Sequence, residues 1–161
     1  NEGSSVKVFI CTKFNLKNRL KKLKIYREIL IEKFIPGREI QAAILGNIKL
    51  GAIELKPKRK FYDYEAKYNS NAKTEHIIPV DLSKDKFFEL MKILQKAHRL
   101  LGCRGVTRSD FKFYKNKFYL LETNTQPGMT KLSLVPEISA YKGINFINLI
   151  ELILKDAETN K

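Results

Sequence analysis

The chain has 161 residues, enough for a domain with a sizeable core, and 43% of them are apolar, which excludes a disordered chain. Lysine and arginine outnumber aspartate and glutamate by 31 to 17, a formal charge of +14. That charge invites nucleic acid, but the lysines are dispersed (Lys21, Lys22, Lys24, Lys56, Lys58, Lys60, Lys112, Lys115, Lys117) and no RNA-binding signature or zinc-ligand spacing accompanies them, so the expectation is solvated basic faces that also suit an anionic nucleotide, without a nucleic-acid partner.

Cys11 and Cys103 are far apart and lack a C-x-x-C partner, as expected of reduced thiols in a cytoplasmic protein. No signal peptide and no apolar run long enough to cross a membrane is present, so no membrane partner is expected. The chain opens at Asn1 inside a motif, without an initiator methionine, and reads as a fragment.

Glu2-Gly3-Ser4-Ser5 is a polar turn of the kind that can aim backbone N–H groups and hydroxyls at an anion, ahead of a strand from Val6 to Ile10. Asn15 is placed to cap a helix running to about Leu30, with Leu16, Leu20, Leu23, Tyr26, Ile29 and Leu30 on one face. Ile31 to Phe34 reads as a short strand carrying Glu32, and Pro36-Gly37 as a turn. Strands from Glu39 to Leu45 and Ile48 to Leu55, joined at Gly46-Asn47, imply an antiparallel sheet with a helix on one side. Phe61 to Tyr68 mixes tyrosines with an acid pair and a lysine, and Asn69 to Lys73 is loop-like; loop aromatics contact a ligand or pack on the domain. His76 is isolated and is not expected to be a metal ligand.

Ser83 caps a helix from Lys84 to about Leu101 whose stripe is Phe87, Leu90, Met91, Leu94, Ala97 and Leu101, with Gly102 ending it and His98 a surface or packing residue. Val106 to Phe113 alternates, placing Arg108 and Asp110 on one face, and Tyr114 to Lys117 is compatible with a hairpin. In the returning strand Phe118, Leu120, Glu122 and Asn124 are expected on one face. If both polar faces point the same way, Asp110, Glu122 and Asn124 offer three oxygen ligands to a hard cation beside Arg108. By spacing alone, a cation site and a solvated sheet face both fit. Gln126-Pro127-Gly128-Met129 breaks the backbone, Leu134 to Tyr141 is a short helix, and Asn145 caps a last helix to about Lys155 with Ile147, Ile150, Ile153 and Leu154 inward.

These pieces together resemble the D-alanine–D-alanine ligases of the ATP-grasp superfamily. The matching stretches are EGSS (Glu2 to Ser5), IEKFIPGREI (Ile31 to Ile40), FYDYEAKY (Phe61 to Tyr68), GCRGVTRSDF (Gly102 to Phe111), LLETNTQPGMTKLSLVP (Leu120 to Pro136) and GINFINLI (Gly143 to Ile150). The resemblance implies an α+β, ATP-grasp fold with antiparallel sheets flanked by helices. Residues 1–60 would be the second half of the central nucleotide-binding subdomain and residues 61–161 the mobile loop and C-terminal catalytic subdomain, with no N-terminal domain. It implies ATP-dependent joining of two D-alanines through an acyl phosphate, with two Mg²⁺ or Mn²⁺ ions on Asp110, Glu122 and Asn124. Arg108 matches the arginine that stabilises the acyl-phosphate transition state. Glu32, the backbone of Lys33, Phe34 and Ile35, and Glu39 match the nucleotide side, and Tyr62 and Lys67 belong to the loop that reaches the phosphates. Ser4 and Tyr68 match a pair that closes that loop, with Ser5 beside them, and Gly128, Ser133 and Leu134 match residues that hold the second D-alanine. FYDYEAKY is of the type found with D-alanine rather than D-lactate as second substrate. The expected intact enzyme is a cytoplasmic homodimer. Two departures stand out. Lys7 replaces a glycine usual in the family. The substrate acid of the N-terminal domain and two phosphate-binding lysines of the central domain are not in this chain. The 161 residues alone are therefore expected to be inactive, or a non-catalytic nucleotide- or partner-binding remnant.

Overall fold

A computed structural model describes residues 8–56 and 74–157. Five strands, β1 (Arg38–Leu45), β2 (Ile48–Lys56), β3 (Glu75–Ile77), β4 (Val106–Tyr114) and β5 (Lys117–Asn124), form one sheet in the order β3-β2-β1-β4-β5. All pairings are antiparallel. The described helices are α1 (Leu16–Lys22), α2 (Lys84–Leu100), α3 (Leu134–Tyr141) and α4 (Phe146–Asp156). This is the α+β class expected, and strands on both sides of residue 60 share the sheet.

Turn chemistry joins the strands. Lys115 and Asn116 both hold positive φ (48° and 63°), as a two-residue hairpin turn between twisted strands requires. At Gly37, φ is +115° and a Cβ would stand 2.4 Å from the Phe113 carbonyl oxygen, so only glycine lets the start of β1 lie against the end of β4.

Alternation along β1 divides the core in two. Ile40, Ala42 and Ile44 pack with Phe111 and with Leu90, Met91 and Leu94 of α2. Ala43 and Leu45 face the other way, among Ile53, Leu55, Val106, Leu134, Val135, Ile138 and Leu149. Helices therefore cover both faces of the sheet rather than one. On the α2 face, the carboxylate of Glu54, 2% exposed, accepts from Arg38 at 2.9 and 2.6 Å. That hydrogen bond raises the Arg38 pKa above its ordinary value. The guanidinium also donates to the Asp81 carbonyl at 2.7 Å.

Two of the three expected caps form: Ser83 Oγ accepts from the Lys86 N–H at 3.3 Å and Asn145 Oδ1 from the Asn148 N–H at 2.9 Å. The inward stripes differ in detail. Leu101 lies beyond the end of α2 and is 61% exposed, and His98 takes the inner position. In α4, Leu149 is fully buried while Ile147 and Leu154 are exposed. The run Phe146 to Leu154 is apolar on more than one side, so contact with α3 and the sheet, not periodicity, selects the buried stripe.

The N-terminal third departs most from expectation. The helix ends at Lys22, contains no buried residue, and receives no side-chain cap; Asn15 Oδ1 instead accepts from the Thr12 N–H at 2.9 Å. Neither Val8 to Ile10 nor Ile31 to Phe34 is in a strand. Phe14, Ile25 and Leu30 are more than four-fifths exposed. A short helix is marginal without a packed apolar face, and a strand needs a neighbour for its backbone groups; among the described residues neither is supplied here.

Candidate functional site

The face of the sheet under α3 and α4 becomes polar toward β4 and β5. Across β1 and β4 the opposed residues are Ala43 and Arg108, Gln41 and Asp110, and Glu39 and Lys112. Across β4 and β5 they are Arg108 and Asn124, and Asp110 and Glu122. Opposed residues point to the same side, so the alternation brings together the four residues expected at a cation site.

One irregularity makes this possible. Leu120 pairs with Phe111, yet Glu122 pairs with Asp110, leaving Leu121 as an extra residue. This β-bulge turns the rest of β5 over. Before it, Phe118 and Leu120 lie on the α2 face, with the Phe118 ring 4.6 Å from Phe113 and 6.4 Å from Phe111. After it, Glu122 and Asn124 lie on the opposite face. The expectation that all four share one face is thus corrected. In an unbroken register Glu122 would oppose Ser109; instead Thr123 does, and the two hydroxyls stand 2.9 Å apart.

Arg108 Nε donates to Asp110 Oδ1 at 2.9 Å and Nη2 to Oδ2 at 3.3 Å, with side chains 16% and 8% exposed. This fork aims the carboxylate and leaves each oxygen a further lone pair. Asn124 Oδ1 accepts from the Gln126 N–H at 3.0 Å, which fixes the amide at the end of β5. Two carboxylates at opposed positions and an amide oxygen form a hard donor set. The set fits a magnesium-type ion. Among the described residues no three His, Cys, Asp or Glu side chains group as metal ligands, consistent with a set whose third member is an asparagine.

Lys112 Nζ donates to Glu39 at 2.9 Å, so this acid is held by a lysine on the neighbouring strand. Glu32, Lys33 and Phe34 are exposed and Ile35 half-buried in the irregular segment before Gly37. At the other end, a Cβ on Gly128 would stand 2.9 Å from Ser133 Oγ. Ser133 Oγ accepts from the Thr130 N–H at 2.9 Å and lies 3.0 Å from Thr130 Oγ1. Gly128 and Ser133 are therefore close neighbours. The Leu134 side chain is buried in the core, which leaves its backbone N–H, in the first turn of α3, as the group it can offer. Ser4, Ser5, Lys7, Tyr62, Lys67 and Tyr68 lie outside the described residues.

Sequence reasoning passed over Lys112 and Gln41. The signals were there: Lys112 follows Asp110 by two residues, and Gln41 is the polar member of the run Ile40 to Leu45.

Residues 1–155 match the family model described as "D-ala D-ala ligase C-terminus". The whole chain is 69% identical to the D-alanine–D-alanine ligase of Pelagibacter ubique (strain HTCC1062), covering 53% of that protein. Over 98% of its length it is 44% identical to the D-alanine–D-alanine ligase of Erythrobacter litoralis (strain HTCC2594), covering 51% of it. The solved structure of the Bacillus anthracis D-alanine–D-alanine ligase complexed with ATP superposes with a TM-score of 0.76 at 25% identity, over 90% of this chain and 46% of that one. The chain spans about half the length of the curated relatives it matches.

Proposed function

The chain belongs to the D-ala D-ala ligase C-terminus family, and from that premise we propose that it carries the catalytic part of an ATP-dependent ligase that joins two D-alanines for peptidoglycan synthesis. Its fold is that of its structural neighbours, the ATP-grasp fold. The observation that carries the reading is the bulged β4–β5 hairpin, which gathers Arg108, Asp110, Glu122 and Asn124 on one face.

In this reading the carboxylate of one D-alanine attacks the γ-phosphate of ATP, releasing ADP. The amine of the second then displaces phosphate from the acyl phosphate. Asp110, Glu122 and Asn124 would hold two Mg²⁺ or Mn²⁺ ions, which neutralise phosphate charge when bound. Arg108, a permanent planar cation forked onto Asp110, supplies positive charge where the transferred phosphoryl group builds negative charge. Glu39, held by Lys112, and Glu32 with the backbone of Lys33, Phe34 and Ile35 take the nucleotide. Lys67 and Tyr62 reach the phosphates, and Ser4, Ser5 and Tyr68 close over the substrates. Gly128, Ser133 and the Leu134 N–H orient the second D-alanine.

In this reading residues 1–60 are the second half of the central nucleotide-binding subdomain and residues 61–161 the mobile loop and C-terminal catalytic subdomain; strands from both parts, β1 and β2 with β4 and β5, share one sheet. The complete enzyme is assigned to the cytoplasm as a homodimer; both cysteines are free thiols, which fits a reducing compartment. Among the described residues no helix is long and apolar enough to cross a membrane.

The test is ADP release by the full-length gene product with ATP, Mg²⁺ and D-alanine, compared with D-lactate as second substrate. Asp110→Asn and Glu122→Gln should each abolish it. A folded full-length product that releases no ADP in response to D-alanine would refute the proposal. Preference for D-lactate would change the second substrate alone.

A further inference from the structure

Gln41 sits where the apolar and polar halves of the sheet face meet. Its neighbour across β2 is Ile53, a core residue, and across β4 it is Asp110. It is 1% exposed, and among the described residues its Oε1 has no hydrogen-bond partner. A buried amide oxygen without a donor costs stability unless something else is gained. The hydrogen bonds of the nearby cations go elsewhere: Arg108 is forked onto Asp110, and Lys112 is bonded to Glu39. The groups directly around Gln41 on its face are Glu39, Ala43, Ile53 and Asp110, two of them acceptors and two apolar. Among the described residues no donor meets Oε1, and a ligand would be able to bring one.

We propose that Gln41 is a positioning residue of the cation site, its buried Oε1 accepting a hydrogen bond from water carried by the ion that Asp110 binds. The inference rests on the cation reading given above and deepens it. Ions of the magnesium type keep several of their waters when bound by one or two carboxylates, and those waters are strong donors. An acceptor held by the sheet next to the ligand aspartate fixes one of them, and with it the orientation of the remaining ligands. Outer partners of this kind typically change metal affinity by about 10- to 100-fold.

The experiment measures Mn²⁺ affinity of the full-length gene product by water-proton relaxation enhancement, at a fixed concentration of a non-hydrolysable ATP analogue, with melting temperatures taken with and without Mn²⁺. Gln41→Leu, similar in size and without an acceptor, should weaken Mn²⁺ about tenfold or more. Its melting temperature without metal should hold or rise, because the orphan acceptor is gone, while the gain on adding Mn²⁺ should shrink. Gln41→Glu keeps an acceptor at the same reach and should retain Mn²⁺ binding, with a larger metal-induced gain than the parent. Unchanged Mn²⁺ affinity in Gln41→Leu, with affinity lost in Asp110→Asn, would overturn the role of Gln41 and leave the cation site standing. Unchanged affinity in Asp110→Asn would remove the cation site and the inference with it. Should Gln41→Leu fail to fold, Gln41→Glu decides: affinity lost in that variant also overturns the proposal, because an acceptor is still in place.

Discussion

The face of the sheet beneath α3 and α4 holds two regions made from the same strands. In one, Ala43, Leu45, Ile53, Leu55 and Val106 are sealed by Leu134, Val135, Ile138 and Leu149. In the other, one or two residues along β1 and β4, the positions are Glu39, Gln41, Arg108, Asp110 and Lys112, paired by charge instead of packing. Backbone geometry is the same in both, and Gln41 and Asp110 are buried like the apolar core; what differs is the partners. Where the helices α3 and α4 pack on the sheet, side chains are selected by volume. In the other half opposed charges hold one another, and the arrangement is ready to exchange protein partners for a ligand. Sealing half of a sheet face gives the other half rigid walls, which a site requiring sub-ångström placement needs.

That comparison can be broken first at the bulge. Inserting one alanine between Leu121 and Glu122 should place the alanine opposite Asp110 and turn Glu122 and Asn124 to the α2 face. In the full-length gene product, kcat/KM should fall by at least ~10³ with Mn²⁺ affinity lost, because two ligands leave the site. Activity within about tenfold of the parent would show that the bulge does not set the site. Next, Arg108→Ala should lower kcat/KM by ~10²–10³. Arg108→Lys should not restore it, since an ammonium cannot make the two-point contact with Asp110; full rescue by lysine would mean that only charge matters there.

The sealed half should respond in the opposite sense. Ile138 is 1% exposed and lies over Gly51, where an added Cβ would come within 3.3 Å of its Cγ2. Ile138→Ala should cost about 3 kcal/mol of stability by thermal or urea unfolding, while kcat well below the melting temperature stays within about twofold. A large kcat loss in a folded Ile138→Ala protein would show that the halves are not separable.

The smallest effect is expected on the α2 face, opposite both halves. Burial lowers the pKa of His98 below its ordinary 6.5; Arg99 adds to the shift and Asp156 partly opposes it. Its Nδ1 is 2.9 Å from Thr107 Oγ1, and among the described residues its buried Nε2 has no partner. With the folded pKa depressed, the unfolded chain binds more protons below about pH 6.5, so stability falls as pH drops through that value and levels off below the folded pKa. The melting temperature should be a few degrees lower at pH 5.5 than at pH 7.5, and His98→Gln should flatten that difference. An equal slope in the variant would assign the pH dependence to other groups.

The sequence by itself determined what depends on a few neighbouring residues. Lys115-Asn116 can take the positive φ of a hairpin turn, Gly37 can approach Phe113, and Ser83 and Asn145 can cap their helices, so the turns, caps and most strand and helix bounds were legible. Period-two alternation also named Arg108, Asp110, Glu122 and Asn124, although by assuming an unbroken β5. Only the tertiary structure decided register and cover. The extra residue at Leu121, the stripe of α4 that is buried, the early end of α1 and the sealed amide of Gln41 all follow from which surfaces meet. Contacts between residues far apart in sequence set those outcomes, and a local preference worth a fraction of a kcal/mol per residue yields to burial worth roughly 1.5–3 kcal/mol per large apolar side chain.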